Sequence, residues 1–132
     1  MTPTLITIGN IRTPYTSIDE CPHNIQFDGP TCQIVLSDNY KQGLNGLAVG
    51  EYILVLYWLE GAQRDLLVQA GKKGINKGTF SLRSPHRPNP IGAAVLPIES
   101  IQNGIITVKG LDCLDNTALI DIKPAIYREN VN

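Results

Sequence analysis

The apolar residues of this chain fall in short runs rich in valine and isoleucine, separated by glycine, proline and asparagine. Such runs are typical of strands, whereas a helix needs apolar positions three and four residues apart over a longer stretch. Asn103-Gly104 lies between two runs and favours a two-residue hairpin, because both residues tolerate a positive φ. The predicted strands are Leu5–Ile8, Cys32–Leu36, Tyr52–Leu59, Asp65–Gln69, Ala93–Ile98, Ile105–Lys109 and Ala118–Ile122.

Helical patterns are scarce, and only the stretch that follows Ser37 predicts a short helical turn. No strand alternates with a long helix, so the doubly wound Rossmann-type fold is not expected. Tyr52–Leu59 is almost entirely apolar, which predicts a strand buried on both faces. The pattern predicts a mainly β chain with few short helices, folded as one small closed or nearly closed β-barrel over residues 1–132.

Composition and charge narrow the class of protein. The 132 residues are 42% hydrophobic and 17% charged, which is ordinary for one globular domain. The net charge of −1 lacks the strong positive excess typical of nucleic-acid binders, although a local basic patch is compatible with it. Three cysteines without a C-x-x-C motif, and no signal or membrane-spanning pattern, predict a soluble cytoplasmic protein. Two histidines and scattered cysteines do not favour a metal site.

The most unusual composition lies at residues 83–92, R-S-P-H-R-P-N-P-I-G. Three prolines within six residues restrict the backbone, so this loop loses less entropy on ordering than an average loop. Arg83 and Arg87 carry guanidinium groups that bind carboxylates or phosphates, and His86 can exchange protons near neutral pH. The same segment is also compatible with a rigid surface connector. The residues alone leave both interpretations open.

The longer stretch Phe80–Gly92, F-S-L-R-S-P-H-R-P-N-P-I-G, resembles the signature of the TsaA-like, or TrmO, family of tRNA methyltransferases. Ile8–Tyr15 is similar to the family's opening motif, and Gly110–Thr117 with Asp121–Pro124 is similar to its closing motif. The resemblance implies a β-barrel, distinct from Rossmann-type methyltransferases, that binds S-adenosylmethionine near a homodimer interface. It also implies methylation of N6 of threonylcarbamoyladenosine, next to the tRNA anticodon.

The resemblance further implies a set of cofactor-binding residues. They are Pro22, His23, Asn24, Glu60, Gly61, Arg83, Ala93, Leu111, Asp112, Cys113 and Leu114. Three of these positions depart from the family pattern. His23-Asn24 replaces an Arg-Gln pair, and Glu60 stands where an aromatic residue or histidine is usual. Both departures bear on the RNA substrate more than on the cofactor.

A general base would assist methyl transfer to an amide-like N–H, and the candidates are His86, Asp112 and Asp121. His86 can equally serve to hold the proline loop, and Asp121 can pair with a nearby lysine. The sequence does not choose among the three. The basic run of Lys72, Lys73 and Lys77 either contacts phosphates or forms a solvated hairpin.

Two other functional hypotheses stay open at this point. The loss of a cation at His23 is compatible with methyl transfer to a small molecule. A non-catalytic module that binds S-adenosylmethionine is the second alternative. The size and charge of the binding cleft should help to distinguish the tRNA hypothesis from the small-molecule hypothesis.

Overall fold

The computed structural model describes residues 1–126, which form a mainly β structure. Short 3₁₀ helices lie at Ile18–Glu20, Asp38–Leu44, Lys72–Gly74 and Thr79–Ser81. Residues 1–126 contain no α-helix. The strands are β1 (Gly9–Arg12), β2 (Thr31–Leu36), β3 (Tyr52–Trp58), β4 (Val68–Ala70), β5 (Asn76–Gly78), β6 (Ile91–Pro97), β7 (Ser100–Gln102), β8 (Ile105–Lys109) and β9 (Thr117–Pro124).

Seven of the strands form one antiparallel sheet, in the order β6-β3-β9-β1-β2-β8-β7. The remaining two, β4 and β5, pair only with each other and form a separate two-stranded ribbon. An antiparallel sheet without crossover helices is incompatible with the doubly wound fold. The prediction of a mainly β chain is therefore confirmed.

The predicted closed barrel is not confirmed. In residues 1–126, the edge strands β6 and β7 do not pair with each other. They are instead consecutive along the chain, joined by Ile98 and Glu99, whose amides donate to Glu51 O and Thr107 O at 2.9 Å. The two edges of the sheet are thus linked by the short segment that joins β6 to β7. No ladder between these two strands closes the ring in residues 1–126.

The first strand begins later than predicted. Leu5 and Ile6 are more than half exposed, and pairing starts at Gly9, directly after the predicted Leu5–Ile8. Gly9 lies against the carbonyl group of Val35, where a side chain would overlap the backbone of β2. Ile11 then fills the core with no exposed surface. A side chain at position 9 would prevent this close approach of β1 to β2, a constraint that a hydrophobic pattern does not record.

The other strand predictions differ mainly at their ends. The strand predicted at Asp65–Gln69 lies at β4, while β5 and β7 have only three residues each and were not predicted. The Asn103-Gly104 hairpin is confirmed, with φ of 53° and 79° at the two residues. β3 alternates between buried and half-buried residues, so the prediction of burial on both faces was wrong.

The hydrophobic core lies against one face of the curved sheet. Its fully buried members include Ile34, Ile53, Val55, Leu96 and Leu119. Burial of each such side chain stabilises the fold by about 1.5–3 kcal/mol. The register of β3 against β9 shifts between Leu56 and Tyr57, as a β-bulge produces. This irregularity lies at the end of β3, where a cleft opens.

Candidate active site

A cleft of about 900 Å³ lies at the end of strands β3 and β6. Its volume is within the range of small-molecule and cofactor sites. Four separate stretches of sequence supply most of its lining, namely residues 21–25, 57–62, 83–93 in part, and 112–118. The fold therefore brings together residues that are up to about a hundred positions apart in the chain.

Most of the predicted site residues line this cleft. They are Pro22, His23, Asn24, Glu60, Gly61, Arg83, His86, Ala93, Asp112, Cys113 and Leu114. Leu111 differs from the others, because it has no exposed surface and belongs to the core. It is not part of the cleft lining, and its predicted role in cofactor binding stays a prediction.

Asp121 is not brought to the cleft. It lies on β9 opposite Leu56, and the cleft lining does not include it. Its Oδ2 is 3.3 Å from Lys123 Nζ, and its Oδ1 accepts the amide of Ile122 at 2.9 Å. Its carboxylate makes a surface ion pair, the structural alternative that the sequence left open, and its role as a general base stays a prediction.

The central polar contact of the cleft joins Tyr57 and Asp112. The Tyr57 hydroxyl donates to Asp112 Oδ1 at 2.8 Å, and Tyr57 itself is 3% exposed. Gly92 lies directly opposite Tyr57 in β6, and a Cβ atom there would come within 2.7 Å of the ring carbon Cζ. The tyrosine ring therefore occupies space that only a glycine at position 92 leaves open.

The environment of this pair changes its titration. Burial raises the pKa of Asp112, and this effect exceeds the opposing effects of the Tyr57 hydroxyl and the Arg83 guanidinium. Burial also raises the pKa of Tyr57 well above its ordinary value, so the hydroxyl stays protonated and donates to the carboxylate. Burial raises the pKa of Cys113 to about 12, which keeps that side chain a neutral thiol.

The turn that carries Asp112 is anchored on β1 and the residues that follow it. Asp115 Oδ1 accepts the amide of Thr13 at 3.1 Å and is 3.0 Å from Arg12 Nε. The Thr13 hydroxyl donates to Cys113 O at 2.8 Å. The opening and closing motifs of the sequence therefore meet at this turn. Asp115 is engaged in holding this turn through Arg12 and Thr13, whereas Asp112 of the same turn makes no ion pair to Arg12 and lines the cleft.

The proline loop forms the opposite wall and is held by side chains that bind backbone groups. His86 Nδ1 accepts the amide of Gln63 at 3.0 Å, so a neutral His86 carries its proton on Nε2. Arg87 Nη2 donates to Thr79 O at 2.8 Å and to Leu82 O at 2.7 Å. Of the two interpretations of this loop, the structure therefore supports a structural role for Arg87.

Of two further arginines, Arg83 is part of the cleft lining and Arg64 lies against one of the lining residues. Arg83 is exposed, donates from Nη2 to Ala93 O at 3.3 Å and lies close enough to Asp112 to oppose the rise in its pKa. Arg64 lies 5.1 Å above the centre of the Trp58 ring, and its Nε donates to Pro88 O at 2.7 Å. Arg64 thus covers one face of Trp58, which lines the cleft.

Two kinds of feature are absent from residues 1–126. No group of three or more histidine, cysteine, aspartate or glutamate side chains in this part of the chain is arranged to hold a metal ion. Within the same residues, no helix has the length and apolar character needed to span a membrane.

Comparison with known proteins identifies the family. Residues 10–130 match the model of the tRNA-methyltransferase O N-terminal domain, and the chain belongs to that family. A solved structure of TrmO superposes with a TM-score of 0.80 at 28% identity, covering 96% of this chain and 58% of that one. The family resemblance of the sequence motifs is therefore confirmed by an independent comparison of the folds.

Two relatives are similar over most of the chain and a third over less than half of it. A "probable S-adenosyl-L-methionine-binding protein" of Archaeoglobus fulgidus is 42% identical, covering 89% of this chain and 32% of that protein. The "probable S-adenosyl-L-methionine-binding protein VirR" of Rhizobium radiobacter is 40% identical, covering 91% of this chain and 69% of that protein. A mouse "tRNA (adenine(37)-N6)-methyltransferase" is 45% identical over 53 residues, 40% of this chain and 12% of that protein. The chain thus spans a third of the first relative and little more than half of the TrmO structure.

Proposed function

We propose that this chain is an S-adenosylmethionine-dependent methyltransferase that acts on tRNA, with N6 of threonylcarbamoyladenosine as the acceptor. One observation carries the proposal: the fold collects into one cleft nearly all the residues that the family motifs assign to the cofactor. The names of the relatives, which include S-adenosylmethionine-binding proteins and a tRNA adenine methyltransferase, support both parts of it.

The side chains of the cleft fit the cofactor's chemistry. Arg83, in the cleft lining, can bind a carboxylate with two parallel hydrogen bonds. Trp58, Ile91 and Leu114 offer apolar surface to an adenine ring. Asp112 supplies a negative charge in a partly buried position, which favours a cationic ligand group over a neutral one. The volume of about 900 Å³ is sufficient for a nucleoside with an amino-acid arm.

The bound cofactor would supply a methyl group on a positively charged sulfur. The chain's own contribution is to align the acceptor and to remove its proton. Asp112 is our candidate for the general base, because burial makes its carboxylate more basic than that of an exposed aspartate. A general base contributes a rate factor of about 10²–10⁴. Tyr57 orients this carboxylate through the 2.8 Å hydrogen bond.

The other two candidates are less suited to that role. His86 Nδ1 is engaged with Gln63, so its free nitrogen in the neutral ring carries a proton and donates. Asp121 lies outside the cleft. In this proposal His86 therefore holds the two loops of the wall together, and Asp121 has no part in the chemistry.

The proposal extends to the assembly. The enzyme is a single domain over residues 1–132 and a homodimer, as the family resemblance implies. Sedimentation equilibrium of the purified protein tests the dimer. A monomer at all concentrations would refute that part and leave the cofactor assignment standing.

The decisive experiment incubates the purified protein with methyl-labelled S-adenosylmethionine and tRNA that contains threonylcarbamoyladenosine. We expect label on that nucleoside, identified by mass spectrometry. A matched tRNA without the threonylcarbamoyl group is the control and should stay unlabelled. Cofactor binding is measured in parallel by calorimetry. Binding without label on any nucleoside would refute the tRNA substrate and favour a small-molecule acceptor or a non-catalytic module.

A further inference from the structure

Charge is distributed unevenly along the chain. The stretch from residue 66 to residue 98 has Lys72, Lys73, Lys77, Arg83 and Arg87 and contains neither aspartate nor glutamate. The whole chain has a net charge of −1, so the remainder is strongly acidic. Segregation of this kind produces a positive field on one region of a protein that is neutral overall.

The ribbon of β4 and β5 carries part of this charge on exposed side chains. Lys73 and Lys77 are both exposed, and among residues 1–126 neither pairs with a carboxylate. Lys73 has a φ of 61° and is followed by Gly74 at 71°, which makes the tight turn at the tip of the ribbon. Lys77 lies opposite Gln69 in the register, so these two side chains share one face.

That face of the ribbon is fixed to the wall of the cleft. Gln69 Nε2 donates to His86 O at 2.7 Å and to the Thr79 hydroxyl at 2.8 Å. Thr79 is 1% exposed, its hydroxyl donates to Leu66 O at 2.8 Å, and its carbonyl accepts from Arg87. The ribbon that carries Lys73 and Lys77 is therefore attached to the wall of the cleft through Gln69 and Thr79.

An exposed aromatic side chain lies between the ribbon and Arg83. Phe80 is 81% exposed and directly follows the buried Thr79. Exposed aromatic rings beside cations are the combination with which proteins bind single-stranded nucleic acids, because the ring stacks on a base while the cations contact phosphates. The anticodon loop of a tRNA presents unpaired bases of this kind.

We infer that the ribbon and the turn after it, residues 66–82, form an RNA-contact surface that guides the anticodon loop to the cleft. Lys73 and Lys77 contact phosphates, and Phe80 stacks on an unpaired base next to the acceptor. This inference rests on the proposed function for the identity of the RNA. The contact surface itself follows from the charge, the exposure of Phe80 and the anchoring of Thr79 and Gln69.

The test measures binding of a fluorescently labelled anticodon stem-loop RNA over a series of salt concentrations. We expect Lys73→Gln/Lys77→Gln to weaken binding about tenfold and to reduce the slope of log K against log salt by roughly 1 to 2. The matched control is Lys109→Gln/Lys123→Gln, two exposed lysines outside residues 66–98, which should bind like the wild type. Circular dichroism and cofactor binding should be unchanged in both.

The aromatic contact has its own pair of variants. Phe80→Ala should weaken RNA binding at least about fivefold, and Phe80→Tyr should retain it, because the tyrosine ring also stacks. Leu67, Val68 and Ile75 are exposed near this residue, so a second copy of the chain is the competing occupant. If Phe80→Ala converts a dimer to a monomer and leaves RNA affinity unchanged, the proposed contact of Phe80 with RNA is overturned. Phe80 would then contact a second copy of the chain.

Failure of this inference is distinguishable from failure of the proposed function. Equal loss of RNA affinity in the ribbon variant and the lysine control would overturn the contact surface, even if the wild type methylates tRNA. RNA binding that depends on Lys73 and Lys77, without methyl transfer, would support the surface and refute the activity. A wild type that binds the cofactor and no RNA would overturn both the surface and the tRNA substrate.

Discussion

The two walls of the cleft are held in place by different interactions. On one side, Tyr57, Gly92 and Asp112 belong to strand ends and a turn that are packed against the core. On the other side, the loops around Gln63 and His86 contact each other through hydrogen bonds between side chains and backbone. The first wall is fixed by steric fit and burial, and the second by several polar contacts.

This difference predicts different responses to mutation. Hydrogen bonds contribute about 0.5–1.5 kcal/mol each, so the loop wall should tolerate the loss of one contact. A packed position tolerates little change of volume, and a partly buried carboxylate changes its titration with each neighbour. We therefore expect the largest effects on the wall that is packed on the sheet.

The largest effect is expected for Asp112→Asn. If Asp112 is the general base, methyl transfer should fall by about 100-fold or more. Because burial raises the pKa of Asp112 in the folded state, its ionised form destabilises the fold as the pH rises through that raised pKa. The variant should therefore be more stable than the wild type at neutral pH and equal to it in strong acid. Single-turnover rates and thermal melts measure the two effects.

The matched control for this variant is Asp121→Asn. Asp121 lies outside the cleft and pairs with Lys123 at the surface, so its loss should leave the rate within about twofold and change stability by at most about 1 kcal/mol. Comparable rate losses in the two variants would show that the cleft does not mark the reacting centre.

Gly92→Ala should destabilise the sheet wall. The added methyl group would overlap the Tyr57 ring, and such overpacking costs about 1–3 kcal/mol. Displacement of the ring also moves Asp112, so cofactor affinity should fall with stability. Gly43→Ala is the control, because a Cβ atom at position 43 meets nothing within 4 Å. Denaturant melts in which the two variants lose equal stability would refute the steric account.

Arg83→Ala should weaken cofactor binding about tenfold without a loss of stability. The side chain is exposed, and a hydrogen bond to a charged group contributes about 1.5–3 kcal/mol. Arg83→Lys keeps the charge and loses the two parallel hydrogen bonds, so its cofactor affinity should lie between those of the wild type and Arg83→Ala. Calorimetry with S-adenosylmethionine measures the series, and unchanged affinity in Arg83→Ala would contradict the assignment.

The sequence predicts those features that local chemistry decides. The Asn103-Gly104 hairpin and the strand at Ile105–Lys109 are found as predicted, because a positive φ and a run of β-branched residues are local properties. The cleft residues were predicted from contiguous motifs, whose members stay adjacent in any fold. A motif does not show which of its side chains reach the cleft, and Asp121, on β9 opposite Leu56, lies outside the cleft lining.

The contact between Tyr57 and Asp112 could not be predicted from the sequence. Within an apolar strand, a tyrosine has the pattern of a core residue, and Tyr57 is indeed buried. Its hydroxyl meets a carboxylate 55 positions away along the chain. No local signal identifies such a partner, because the contact depends on the turn at Asp112 being anchored to the distant Thr13. The residue that orients the candidate base is thus visible only in the folded chain.

Tyr57→Phe should have the smallest effect and one that depends on pH. The Tyr57 hydroxyl donates to the carboxylate of Asp112 and favours its ionised form, so its loss raises the pKa of Asp112 further. The ionised carboxylate is the proposed proton acceptor, so the acidic limb of kcat/KM should move to higher pH. The rate should fall several-fold in acid and approach the wild-type rate in alkaline solution. Tyr40→Phe, outside the cleft, should not shift the limb. A uniform loss of rate at every pH in Tyr57→Phe would indicate that the hydroxyl only supports packing, and that Asp112 does not titrate in the reaction.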